Sequence, residues 1–277
     1  MSIPLRWIKN YPAEDILYYR ILVALSVLGL ATFIFRRHAL RHDLNLYRSL
    51  SIPEKRKAVL LVIVASILIF ANWYTYIYTI NAVSIQAGAF AYLICPLITA
   101  IFAFLILKEN LSSLKKWALA LALLSAIMLA TGSFIDTLWS IIIATPFALY
   151  LIIQRVSKGF DKLNTLALQL LLCAVYVVPN VIYKHNNIPS DPQFWGIILL
   201  IAVVFTIIPL FFSMYALTRI SSTTSGVLLY INPIIAFTLA VVYFHEAVDP
   251  HKYIAYALIL LAILLFNGSV IKKIKPL

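Results

Sequence analysis

Charge is what this sequence has least of. Only 12% of its 277 residues are Asp, Glu, Lys or Arg, against about 25% in an ordinary soluble domain. Cysteine is nearly absent too. Cys95 and Cys173 both sit inside apolar runs, which excludes a disulfide framework and any Cys-based metal spacing and leaves them as small packing residues. No phosphate loop, Gly-x-Ser-x-Gly elbow or His-Cys-Asp cluster appears, so no catalytic constellation, resident cofactor or metal is expected, and the chain is not read as an enzyme. The N-terminus has no signal-peptide pattern: Arg6, Trp7 and Lys9 precede the first apolar run and no small-residue cleavage site follows it.

What fills the space is hydrocarbon. Hydrophobic residues make up 63% of the chain, more than one soluble core can bury. A helix needs about 20 apolar residues to cross a bilayer core roughly 30 Å thick. Nine segments approach that length: Asp15–Phe35, Ala58–Ile80, Ser84–Leu107, Leu114–Thr131, Phe134–Ile153, Leu163–Tyr183, Phe194–Leu217, Ser221–Phe244 and Tyr253–Ile271. The longest connection, Arg36–Lys57, is basic and polar. The expected fold is therefore all-α and integral to a membrane.

The net charge of +12 follows from topology rather than from nucleic-acid binding, since the basic residues lie between apolar runs. If the Arg36–Lys57 loop is cytoplasmic, alternation puts 17 Lys and Arg residues on that side and four on the other. This places the C-terminus in the cytoplasm and the visible N-terminus outside.

The chain also repeats. Tyr78–Leu124 aligns without a gap on Tyr215–Leu261 at an offset of 137, with 13 identities in 47 positions. Among them are Ser84/Ser221, Pro96/Pro233, Glu109/Glu246 and Lys115/Lys252. Apolar helices share Leu and Ile by composition, but not a Pro, a Glu and a Lys in one register. An odd number of spans separates the copies, so they face opposite ways in the membrane. Inverted repeats of this kind carry a substrate site near the midplane in secondary transporters. The repeats are read as residues 1–132 and 133–277. The second holds five spans and the first four, so the nine visible spans are read as two inverted five-helix repeats with the first helix of the first repeat missing.

Several motifs resemble one family. Asn72, Trp73 and Asn81, then Tyr92 and Pro96 through Leu107, Lys108 and Glu109, are similar to the first repeat of the EamA-type drug/metabolite transporter superfamily, in its RarD branch. Thr223 to Pro233, followed by His245 and Glu246, resembles the second repeat, and Tyr11 to Arg20 resembles the family's second helix. The resemblance implies ten helices in two inverted repeats and export or exchange of small metabolites or drugs across the bacterial inner membrane. The expected partners are the lipid bilayer and a small-molecule substrate, with a coupling proton or ion and a homodimer left open.

Residue by residue, Pro96 and Pro233 are candidate helix breaks, because proline removes a backbone donor and bends a helix. Arg20 lies inside the first apolar segment. A central Arg costs about 2.5–3.5 kcal/mol on insertion scales, so it should face protein or water unless it snorkels to the interface. Gln169 sits at a similar depth as a candidate partner; an anionic substrate group is the alternative. Asn72, Trp73 and Tyr76 share one helical stripe. Tyr92, Tyr150, Gln154, Tyr215, Tyr230 and Asn232 complete the candidate cavity set, since binding sites are mostly apolar with a few placed polar groups. Glu109 and Glu246 end their spans and are read as satisfying helix-end backbone groups or pairing with Lys115 or Lys252, with proton coupling as the alternative role. Two other readings stay open: an inactive truncated paralogue, and an intramembrane enzyme. The charge asymmetry predicts that a C-terminal fluorescent-protein fusion fluoresces while a C-terminal alkaline phosphatase fusion is inactive; the reverse pattern inverts the topology.

Overall fold

The computed structural model describes every residue except 1–3, 5, 6, 9, 84, 131–133, 158, 184–187, 239–249 and 272–277. Glu246, Arg6, Lys9 and Lys184 therefore lie outside the described residues. All regular structure among the described residues is helical. In order, the helices are α1 (Ala13–Phe35), α2 (Arg37–Ser49), α3 (Ile52–Ala82), α4 (Ile85–Leu107), α5 (Ser113–Leu129), α6 (Phe134–Val156), α7 (Lys162–Tyr183) and α8 (Pro192–Ala202). A π-helical turn follows at Val203–Ile207, then α9 (Ile208–Ala216), α10 (Ser222–Leu228), α11 (Ile231–Thr238) and α12 (Pro250–Ile271). Among the described residues six stretches are long and apolar enough to cross a membrane: Ala13–Phe35, Ile52–Ile80, Ala87–Leu107, Phe134–Val156, Lys162–Tyr183 and Pro192–Ala216.

Two departures from the expected pattern have local causes. The basic connection is not extended: α2 occupies most of it, with Leu40, Leu44 and Tyr47 at helical spacing among arginines and histidines. α3 then starts at Ile52, six residues before the apolar run, because Ser51 and Glu54 form half of a capping box. The Glu54 carboxylate accepts from the Ser51 amide at 2.8 Å and its hydroxyl at 2.6 Å. The second departure is the π turn between α8 and α9. Pro209 cannot donate to the carbonyl four residues back, and its ring would crowd that carbonyl. Widening the turn relieves the clash, and the Ile208 amide reaches Val203 instead.

The chain forms two compact units. One contains residues 1–77 and 153–219, the other 78–152 and 220–277, so the divisions fall inside α3 and α6. In the first unit α1 packs on α7 and α8. Ile16 and Tyr19 bury against Phe194, Ile197, Ile198 and Ile201. Tyr19 meets Phe194 edge-on at 5.8 Å and Trp195 at 5.1 Å between ring centres, an arrangement that aromatic rings favour.

In the second unit α5 packs along α12. Ala118, Ala122 and Ala126 recur every four residues and face Ala255, Ile259 and Ala262, all buried. Small side chains let the two backbones approach closely, near enough for the Ser125 hydroxyl to donate to the Ala255 carbonyl at 2.7 Å. α10 approaches α4 in the same way. A Cβ on Gly226 would stand 3.0 Å from the Thr99 side chain, so any larger residue there requires Thr99 to shift.

α4 ends with Lys108 in the left-handed region (φ 52°) and the Glu109 amide donating back to Ala103 at 3.1 Å. This reversal sends Glu109 onto the start of α10. Its carboxylate accepts from the Ser222 amide (2.9 Å), the Thr223 amide (3.2 Å) and the Thr223 hydroxyl (2.7 Å). Glu109 does satisfy helix-end groups, but those of a helix 113 residues further along the chain. Hydrogen bonds to a charged group are worth about 1.5–3 kcal/mol each, and their loss leaves donors unsatisfied. Glu109→Ala is therefore expected to lower stability by about 2–4 kcal/mol, read as a drop in detergent unfolding temperature. A variant as stable as the parent would mean that Glu109 does not hold α10.

Candidate functional site

The first unit contains seven of the candidate residues. Arg20 is 3% exposed on α1, with its guanidinium carbon 4.3 Å from the centre of the Trp73 ring on α3. That distance lets the ring face stabilise the cation, by up to about 2 kcal/mol where water is excluded. The ring gives a membrane-embedded charge an apolar surface to lie against, and the planar guanidinium keeps edge donors in a fixed fork. Asn72 and Tyr76 flank Trp73 on α3, and all three are half-buried. Gln169 is 1% exposed on α7, the helix that packs on α1. Gln154, near the end of α6, is 2% exposed, and neither its amide nitrogen nor its oxygen has a hydrogen-bond partner among the described residues. Leaving both buried costs about 1–3 kcal/mol per group. The neighbouring Arg155 donates to the Leu217 carbonyl and so ties α6 to the chain beyond α9. Tyr215 is half exposed and stacks on Phe211 within α9.

The second unit contains the other four. Tyr150 is fully buried beside Phe147. Tyr230 is fully buried in the turn between α10 and α11, and its hydroxyl has no hydrogen-bond partner among the described residues. Tyr92 and Asn232 are exposed. The two prolines are both buried but behave differently. α4 runs through Pro96 as one helix. Before Pro233 the helix tightens: the Leu229, Tyr230 and Asn232 amides donate three residues back, and α11 starts afresh at Ile231.

The structure thus joins Arg20 to Trp73 and sets Gln169 on a helix packed against Arg20's own. It does not bring Tyr215 or Gln154 to that pair by any contact described.

Sequence reasoning missed one cluster. The Asp43 carboxylate accepts from the Asp161 amide at 3.1 Å and from the Asn164 side chain at 2.7 Å. Asp161 caps α7 through the Leu163 and Asn164 amides and takes Arg36 at 2.7 Å on its other oxygen. Its local signal, an Asp just before a helix, was visible; its long-range partners were not. A second omission is the aromatic contact of Phe70 with Tyr176, ring centres 5.1 Å apart. Among the described residues, no group of three His, Cys, Asp or Glu side chains could hold a metal ion.

The model of the EamA-like transporter family matches this chain twice, at residues 5–131 and 135–268. The chain is 28% identical to Protein RarD of Streptomyces exfoliatus, over 98% of this chain and 85% of that protein. It is 26% identical to an uncharacterized transporter, YojE, of Bacillus subtilis, over 97% and 90%, and 23% identical to Protein RarD of Escherichia coli, over 92% and 84%. One solved structure superposes on 97% of this chain and 92% of its own with a TM-score of 0.70 at 16% identity, which establishes the shared fold.

The Arg20–Trp73 contact makes a separate prediction. Trp73→Leu keeps an apolar side chain but removes the ring face, so the protein should lose about 0.5–2 kcal/mol of stability, while Trp73→Tyr should recover part of it. Equal unfolding temperatures for Trp73→Leu and the parent would show that the ring does not anchor the guanidinium.

Proposed function

The chain belongs to the EamA-like transporter family, and from that premise we propose that it is a permease that moves a small metabolite or drug across the bacterial inner membrane by alternating access. It is a transporter of the drug/metabolite superfamily, with membrane-length apolar helices. The finer reading is nine membrane spans arranged as two repeats, residues 1–132 and 133–277, in opposite orientations. The observation that carries it is the double family match, one copy on either side of residue 133, together with the 137-residue offset in sequence. Inverted copies supply two gates related by symmetry around one site, which is what alternating access requires.

Arg20, Trp73 and Gln169 are the first residues assigned to substrate. An ionisable side chain inside an apolar membrane helix is by default a candidate functional group, and the guanidinium's fork of donors suits a carboxylate or phosphate. Asn72, Tyr76, Tyr92, Tyr150, Gln154, Tyr215, Tyr230 and Asn232 are the wider candidate set, and the break before Pro233 is the first candidate hinge. The cytoplasmic C-terminus, a coupling proton or ion and a homodimer belong to the same proposal.

The test is flux into liposomes containing purified protein, over a broad panel of anionic, zwitterionic and cationic metabolites. At least one solute should equilibrate faster than in empty liposomes, and Arg20→Gln should slow it tenfold or more, the size expected from losing one charge-assisted contact worth about 1.5–3 kcal/mol. Flux equal to empty liposomes for the whole panel would remove the reading in favour of an inactive paralogue. Unchanged flux in Arg20→Gln would remove Arg20 from the site while leaving the transport assignment.

A further inference from the structure

We infer that the junction of α2 and α3 is a binding site for one anionic phospholipid, with the headgroup phosphate held by Lys55 and Arg56 and one acyl chain lying along Val59, Leu60 and Ile63. Three observations support it. The first is the electrostatic state of the segment. Residues 36–57 contain seven Lys and Arg and two acidic residues, and both acidic side chains are already engaged within the chain. Asp43 is buried on the start of α7, and Glu54 is held by Ser51. Arg37, His38, Arg41, His42 and Arg48 are all exposed on α2. Among the described residues neither Lys55 nor Arg56 makes an ion pair. A basic amphipathic helix of this kind lies in the membrane interface and attracts anionic lipid.

The second observation is shape. An open groove of about 380 Å³ runs between Tyr47 at the end of α2 and the first turns of α3. The Lys55 ammonium lies 5.9 Å from the centre of the Tyr47 ring. The volume falls in the range of small-ligand sites. It accommodates a headgroup and the upper part of one chain, and the remainder of the lipid stays in the bilayer.

The third is the order of polarity along the groove. Lys55 and Arg56 come first, then Val59, Leu60 and Ile63 descend the same face of α3 and are exposed. From Lys55 to Ile63 the helix rises about 12 Å, enough to pass from phosphate level into the acyl region. A free anion has no use for the apolar wall, and a zwitterionic lipid brings no net charge to the basic end. An anionic phospholipid matches both.

The experiment is native mass spectrometry of the intact protein released from detergent after equilibration with equal amounts of phosphatidylglycerol and phosphatidylcholine of identical chains, with inorganic phosphate as a chain-free probe. The wild type should retain phosphatidylglycerol in preference. Lys55→Gln/Arg56→Gln should reduce that preference by up to about thirtyfold, the value for two Lys/Arg charges at an anionic surface. Val59→Trp, which fills the groove and leaves both charges, should lower retention as well, and inorganic phosphate should not be retained. Equal retention of the two lipids by the wild type overturns the site. So does the same loss in Lys115→Gln/Lys116→Gln, because the attraction would then be diffuse charge. Retention of inorganic phosphate equal to that of phosphatidylglycerol overturns the role of the chain, and undiminished retention in Val59→Trp overturns the groove.

Discussion

The hydrocarbon interior of a bilayer offers a backbone no water, so every buried amide and carbonyl must find its partner within the protein. Most of this chain satisfies that constraint by staying helical. The exceptions show where the helical solution fails and what replaces it. At Pro209 the backbone widens to a π turn. Before Pro233 it tightens and restarts. At the start of α10 the exposed amides are capped by a carboxylate from a distant loop.

The same constraint governs side chains. Ser26, Ser66, Thr75, Thr99 and Thr145 all return their hydroxyls to a carbonyl one turn back. These are polar residues made harmless. Arg20, Gln154 and Gln169 are too long or carry too many polar atoms for that solution, and they are the buried polar groups on which a transport reading concentrates.

The helices were largely legible in sequence because apolar run length is a one-dimensional signal. Asp15–Phe35 and Leu163–Tyr183 differ from the observed α1 and α7 by two residues or fewer at either end. The helix-end role of Glu109 was legible too, but not the helix it serves, since that depends on two strands of chain meeting in space. The difference between Pro96 and Pro233 was not read from their shared register. It follows from what precedes each proline: Ala87, Ala89 and Ala91 favour helix, whereas Thr223, Thr224, Ser225 and Gly226 do so weakly. α2 was hidden by its own charge, because a basic stretch reads as loop unless the spacing of Leu40, Leu44 and Tyr47 is weighed against it. The Asp43–Asp161 link and the fit of Gly226 to Thr99 are long-range facts with no local trace.

The interleaving of the two compact units bears on how the chain is made. The first unit needs residues 153–219 and the second needs residues from 220 onward, so neither is complete when the first half of the chain has left the ribosome. α1 reaches the bilayer long before α7 and α8 exist to cover Ile16 and Tyr19. α5, likewise, has α4 beside it early but waits for α12 to complete the cover of its alanine face. Early helices must therefore wait in lipid for part of their packing, which their hydrophobicity permits, and each unit is completed only when its later segment has been made. Order of translation and order of assembly are uncoupled by the way the two halves are threaded.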